Sequence, residues 1–497
     1  MAVGIPGSRR GHNPARQGGD GAKRKVESVA ELLVMKFGGT SMGSSDRIKI
    51  AAKLTAEQHA KRPVAIVVSA MSKVTDLLLD TLRKAETGDA DGLEGNLATL
   101  TARHLECAQG LLPVAKHDGA RVGIEGLTAE FAKIARGMLL LGERPPRSVD
   151  QAIAIGERLS AFLLAEYFNS EGIAAEAVNA ASVIATDAVF GNATPILDAT
   201  RERAAKVLRP LLDKGVLPVV TGFNASTVDG RPTTLGRGGS DFSASIIAAV
   251  LDAGELWIWT DVDGIMSADP RLVKNARVLP EVTYAEAAEL AYNGAKVLHP
   301  RTLAPLAERK IPVWSKNSFA PEVPGTRIVP SIDAGHGPRA VTSMTNIAMV
   351  SIEPASAEIS GTKVMAEAIE ALSRSGVEIM LITSSSYTQS FCFLIRQSEL
   401  ARAQEFLEES LALELAHDYL KPILIDKEVG LLAVVGEGMR GTPGLAGRIF
   451  TAMSQQNINI VVIAQGSSEL TIAVVVHRKD LELAVRSIHE ECGMGHV

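Results

Sequence analysis

Two rhythms of apolar and polar positions alternate over the first two thirds of the chain. Short runs rich in Val, Ile and Trp predict strands: "LLVMKF" (32–37), "RPVAIVVSA" (62–70), "AAEAVNA" (174–180), "VLPVVTGFNA" (216–225) and "ELWIWTDV" (255–262). Between them, "SVDQAIAIGERLSAFLLAEYFNSEG" (148–172) and "SDFSASIIAAVLDAG" (240–254) space their apolar residues as helices do and end in glycine. Strands alternating with helices predict an α/β unit whose central sheet is largely parallel and sandwiched by helices. In such sheets ligands bind beyond the carboxyl ends of the strands.

The rhythm changes after "NSFAPEVPGTRIVPSIDAGHGPRAV" (317–341), whose four prolines and three glycines predict a linker or sheet edge. Beyond it the chain repeats. The segment from Val377, "VEIMLITSSSYTQSFCFLIRQSELARAQEFLEE", aligns at a constant offset of 81 with the segment from Ile458, "INIVVIAQGSSELTIAVVVHRKDLELAVRSIHEE". An amphipathic helix and, before it, a strand precede each copy. The unit is β-α-β-β-α, the size of a ferredoxin-like half-sandwich. Two copies suggest paired regulatory modules or, equally, a duplicated packing unit.

Composition narrows the function classes. A length of 497 residues leaves room for roughly three domains. A net charge of −6 and aromatics at 4% argue against nucleic acid or an anionic membrane as the main partner. No apolar run reaches the roughly 18 residues of a membrane helix. The three cysteines, Cys107, Cys392 and Cys492, fit reduced thiols and a cytoplasmic setting. Residues 1–30, rich in Gly and basic side chains, read as a disordered basic tail.

Five stretches carry chemistry. In "VMKFGGTSMGS" (34–44), Lys36 ends a buried strand and Gly38–Gly39 bare the backbone, a cradle suited to phosphate oxygens. A tight turn with a solvated lysine serves that stretch as well. "SAMSKVTD" (69–76) offers small hydroxyls after a strand, and "AIGERLSAF" (153–162) sets Glu157 on an apolar helix. "TTLGRGGSDFSAS" (233–245) places Arg237 on a Gly-rich loop before Ser240–Asp241 open a helix. Arginine grips a carboxylate in bidentate fashion, while Ser and Asp at a helix start are also ordinary caps. "WIWTDVDGIMSADPR" (257–271) ends a strand in acids but lacks the alternating ligands and terminal Glu of a calcium loop. No protein metal site is expected.

Taken in order, "KFGGTS", "GERLS", "GRGGSD", "WTDVDGI…DPR" and "GAKVLHP" resemble the aspartokinase family, from residue 32 to about 490. The resemblance implies an amino acid kinase fold over 31–330, then two ferredoxin-like βαββαβ ACT domains at 341–426 and 427–497. It implies aspartate kinase activity, making 4-phospho-L-aspartate from L-aspartate and ATP at the head of lysine, threonine and methionine biosynthesis. Lys36, Asp241 and Lys296 match catalytic positions, and Thr75, Glu157, Arg237 and Ser240 match aspartate-binding ones. Lys36, Gly38, Gly39, Ser41, Thr260, Asp261, Met266, Arg271, Lys296 and Val297 match ATP-binding positions, with Mg²⁺ held mainly by the nucleotide. The family often has Tyr where this chain has Met266, which bears on adenine contact.

Glu157 suits an α-ammonium and Arg237 an α-carboxylate. The β-carboxylate of aspartate is ionised at neutral pH, so the transfer needs no general base, and His299 reads as structural. Two alternatives remain: a related kinase for another carboxylate or carbamate, and an inactive amino-acid sensor. No homoserine dehydrogenase module is expected to follow the repeat. Glu378, Asn457, Asn459 and Gln465 are candidate effector contacts, favouring threonine over lysine, in a homodimer or homotetramer paired through the repeats.

Overall fold

The computed structural model describes residues 31–295, 298–333, 335–355 and 359–495. The basic tail, Lys296, Val297 and part of the 355–363 loop lie outside the described residues.

An eight-stranded sheet organises the first unit. Its order is Ala175–Val178, Leu217–Thr221, Val64–Val68, Leu33–Phe37, Glu255–Thr260, Val313–Asn317, Thr326–Val329 and Glu281–Thr283. The first six strands in that order run parallel, as the alternating pattern predicts. The chain steps from Leu33–Phe37 to one neighbour, Val64–Val68, and later returns to its other side with Glu255–Thr260. This reversal is a topological switch point, where a crevice opens beyond the carboxyl ends.

Alternation along the central strand assigns its faces. Leu33, Met35 and Phe37 pack into one core with the helices of 74–170. Val34 points into the opposite core, with the helix Gly239–Val250. A period of two puts Lys36 on that second face, below the start of that helix.

Two predicted elements differ in detail. The 148–172 helix is two helices, Pro146–Ile153 and Ile155–Ser170, parted at Ala154. The Asn224 side chain donates to the Ala154 carbonyl at 3.0 Å, and a Cβ on Gly156 would stand 2.9 Å from that of Ala70. The helix bends where it presses on the sheet's edge. The 317–341 stretch is more than a linker: Asn317 ends a strand, and Thr326–Val329 joins the main sheet antiparallel to Val313–Asn317.

The repeat forms two four-stranded sheets, and the offset of 81 carries the helix Leu400–Ser410 onto Leu481–Glu491. Strand pairing corrects the expected boundary at 341. Ala340–Met344 pairs antiparallel with Val429–Val435 in the second sheet, while Leu424–Asp426 completes the first beside Ile347–Ile352. The first copy is thus inserted between two strands of the second. The sheets then bury Leu381, Leu394, Leu431 and Val475 against each other.

Candidate active site at the carboxyl edge of the sheet

Three ionisable side chains converge beyond the central strand. Lys36, buried, forms an ion pair with Asp241 at 2.5 Å, where the helix Gly239–Val250 begins. Glu157 reaches the same edge from the other layer, on Ile155–Ser170, and is 4% exposed. Its Oε1 accepts from the Ala70 amide at 3.1 Å, while Oε2 is buried without a hydrogen-bond partner. Burial pushes the Glu157 carboxyl up to about 8, against the pull of the Ala70 amide and the Lys36 charge. A carboxyl with one unused oxygen in a charged crevice waits for a donor.

The loop after the central strand is held from three sides. Gly38 N–H donates to the Trp259 carbonyl at 3.2 Å, and Gly39 C=O accepts from Ser72 N–H at 3.0 Å. A Cβ on Gly39 would lie 3.0 Å from the Ala70 carbonyl oxygen, a crowded approach that a bare backbone avoids. Ser41 is buried, its hydroxyl 2.8 Å from that of Ser318. Ser318 in turn bonds the Thr260 carbonyl through its amide at 2.9 Å and its hydroxyl at 3.1 Å.

Beside this edge opens a cavity of about 520 Å³. Asp261, Met266 and Arg271 line one wall, Gly294 and Ala295 another, and residues 341–343 of the second C-terminal sheet a third. Its Leu290, Ile265 and Val341 give it an apolar part suited to a flat base. Asp263 Oδ1 accepts from the Asn317 side chain at 2.6 Å, and Arg271 bonds its neighbour Asp269. The final helix of the chain braces this loop from behind: Ser267 Oγ lies 3.0 Å from His489 Nε2, and Arg486 Nε donates to the Leu272 carbonyl at 2.7 Å.

Residues 31–317 match the amino acid kinase family, and residues 432–492 match an ACT domain. The fission yeast Schizosaccharomyces pombe aspartokinase is 30% identical over 496 residues, covering 92% of each chain. The chain belongs to the aspartokinase family. It also spans about half the length of the curated bifunctional aspartokinase/homoserine dehydrogenases it matches. That of Arabidopsis thaliana is 35% identical over 464 residues, 92% of this chain and 50% of the relative. Escherichia coli aspartokinase III in complex with aspartate and ADP (R-state) superposes with a TM-score of 0.80 at 29% identity, covering 93% of this chain and 99% of that one. The same enzyme in complex with lysine and aspartate (T-state) gives 0.76, again at 29% identity, covering 93% of this chain and 100% of that one.

Within this aspartokinase fold, Lys36, Gly38, Gly39, Ser41, Glu157, Ser240, Asp241 and Thr260 gather at one edge, with Asp261, Met266 and Arg271 around the adjoining cavity. Thr75, in the first turn of Val74–Glu86, is half-buried, and Arg237 is exposed on the loop before Gly239. Gly236 and Gly238 hold that loop with φ of 75° and 70°, a backbone only glycine adopts cheaply. His299 is structural, as expected: its Nδ1 accepts the Arg301 amide at 3.3 Å and caps Pro300–Arg309. Sequence reading missed Arg47, Asn224 and Ser318, whose partners are distant in the chain.

The effector candidates do not form one pocket within the chain. Asn459 and Gln465 stand at opposite ends of the strand Ile460–Gln465, roughly 20 Å apart at about 3.3 Å per residue. Asn457 has φ 56° at the end of Leu445–Gln455, the position Gly376 holds with φ 66° in the first copy. A helix-ending role accounts for it. Glu378 is exposed and 4.0 Å from Arg396, next to the Tyr292 hydroxyl that donates to the Ile379 carbonyl at 3.0 Å.

Asp241→Asn tests the ion pair directly. Asparagine keeps the shape but loses the charge that orients the Lys36 ammonium, so kcat should fall about a hundredfold with the melting temperature little changed. Unchanged kcat would remove Asp241 from the site.

Proposed function

We propose that this chain transfers the γ-phosphoryl group of ATP to the β-carboxylate of L-aspartate, giving 4-phospho-L-aspartate. The observation that carries the reading is the buried Glu157 oxygen left without a donor beside the Lys36–Asp241 pair. An α-ammonium supplies that donor and ionises the carboxyl. Arg237, on the loop turned by Gly236 and Gly238, offers the planar fork for the α-carboxylate, with Thr75 and Ser240 as hydroxyl contacts. Selection of the amino acid thus rests on both halves of its zwitterion.

The bared backbone at Gly38 and Gly39 and the 520 Å³ cavity fit a nucleoside triphosphate. Lys36, Gly39 and Ser41 would hold its phosphates, while Gly38, its amide bonded to the Trp259 carbonyl, would let the chain pass close to them. Thr260, Asp261, Met266 and Arg271, with Lys296 and Val297, would hold the nucleoside. Mg²⁺ bound to the triphosphate supplies further neutralisation of charge. Lys36, fixed by Asp241, faces charge developing on the transferring group, and the β-carboxylate attacks already ionised. An ADP-release assay with aspartate, glutamate and no second substrate tests this. Release confined to aspartate is expected; release with glutamate alone, or none, would overturn it.

The reading extends to a cytoplasmic enzyme at the start of lysine, threonine and methionine synthesis, paired through its ACT domains. No helix among the described residues is long and apolar enough to cross a membrane. Threonine is the proposed effector. Gln465 presents an uncharged amide suited to a hydroxyl. Threonine at millimolar levels should inhibit cooperatively, and Gln465→Ala should raise its half-inhibitory concentration about tenfold. Inhibition by lysine alone, unaltered in Gln465→Ala, would overturn the effector assignment.

A further inference from the structure

Arg47 lies two turns of sequence past the phosphate loop, in the first turn of the helix Ser45–His59, and belongs to none of the motifs above. Its Nη2 donates to the Ser318 carbonyl at 2.7 Å and to the Ser318 hydroxyl at 2.9 Å. Its guanidinium carbon stands 3.4 Å from the centroid of the Phe319 ring, a ring 52% exposed to solvent. The held residue, Ser318, is 1% exposed and touches both halves of the nucleotide site: the Ser41 hydroxyl at 2.8 Å, and the Thr260 carbonyl. One side chain therefore ties the loop after the central strand to the ends of two neighbouring strands.

We propose that Arg47 is a positioning residue for the nucleotide, holding Ser318 so that Ser41 and the Lys36–Gly39 backbone keep the geometry that phosphates require. This rests on the nucleotide reading of the site. Stability alone accounts poorly for the arrangement. Nε of Arg47 is buried without a hydrogen-bond partner, a cost, and the stacking ring is half in water. What the contact delivers is orientation: two bonds to one residue from a planar group pinned by a ring. A lysine nitrogen could donate both bonds, but it lacks the planar group that lies on the Phe319 ring and fixes the donor's direction.

The test compares wild type with Arg47→Ala, Arg47→Lys, Ser318→Ala and the Arg47→Ala/Ser318→Ala double variant, by steady-state kinetics and thermal melting. Expected is a fall in kcat/KM for ATP of about tenfold to a hundredfold in Arg47→Ala, with the KM for aspartate within about twofold. Arg47→Lys should recover little, while guanidinium ion added to Arg47→Ala should recover part of the loss. The double variant should lose no more than the worse single one, because both act through Ser41. A lowered melting temperature with wild-type kcat/KM for ATP, an equal loss for both substrates, or additive losses would each overturn the proposal. Should Arg47→Ala fold poorly, Arg47→Lys and Ser318→Ala carry the same comparison. ADP affinity, measured by calorimetry on each variant, reads the role of Arg47 even if wild type proves inactive on aspartate. That inactivity would sink the proposed reaction and leave this inference standing or falling on ADP binding.

Discussion

Lys36→Ala should reduce turnover by about a thousandfold or more while the protein still folds. The ammonium is buried, paired with Asp241 at 2.5 Å, and sits where bare glycine backbone opens to a ligand. Preorganised charge at such a point acts on the transition state, so the loss should fall mainly on kcat. Removing one member of a buried pair also strands the other, but Asp241 is partly exposed and water can reach it. Thermal melting should therefore drop only modestly. Near wild-type kcat in this variant would make Lys36 a turn residue and end the kinase reading of the loop.

The second large effect is expected at Glu157. With its carboxyl pushed up to about 8 by burial, the empty site carries mostly a neutral acid at pH 7. Aspartate binding must ionise it, so the KM for aspartate should fall as pH rises from about 6.5 toward 8 and then level off. Glu157→Gln keeps the shape and loses the charge. It should raise that KM about a hundredfold, in line with truncating one side of a buried charge pair, and abolish its pH dependence.

Stability should move the other way. The folded carboxyl holds a proton between 4.5 and about 8 that the unfolded one has released. Wild type therefore loses stability as pH climbs through that window, and Glu157→Gln should not. A melting curve for the variant lying below wild type at pH 8.5, together with an unchanged KM for aspartate, would return Glu157 to an ordinary structural carboxylate.

Both residues stood out in the sequence, yet for different reasons. Lys36 belongs to a local pattern, strand then glycines, whose chemistry is written within six residues. Glu157 is, along the chain, only an acid on an otherwise apolar helix. Its burial follows from the close approach of Gly156 to Ala70, a contact across the fold. Asn457 shows the reverse: an apparent effector contact that a left-handed helix end explains.

By itself the sequence determined the alternation of strand and helix, the parallel sheet with its loops at one edge, the order of the motifs that resemble the family, and the duplicated C-terminal unit. These depend on periodicity and turn chemistry, which are local and survive being read along a line. Only the tertiary structure decided which residues meet across it. It brought Ser318 from an apparent linker to the Ser41 hydroxyl, and Arg47 to Ser318. It moved Ala340–Met344 into the second C-terminal sheet, so that residues 341–343 wall the cavity beside the site. It set Asn459 and Gln465 at opposite ends of one strand. Hydrogen bonds and strand pairing between distant segments are chosen by burial and by the need to satisfy every backbone group, and no periodicity records that choice.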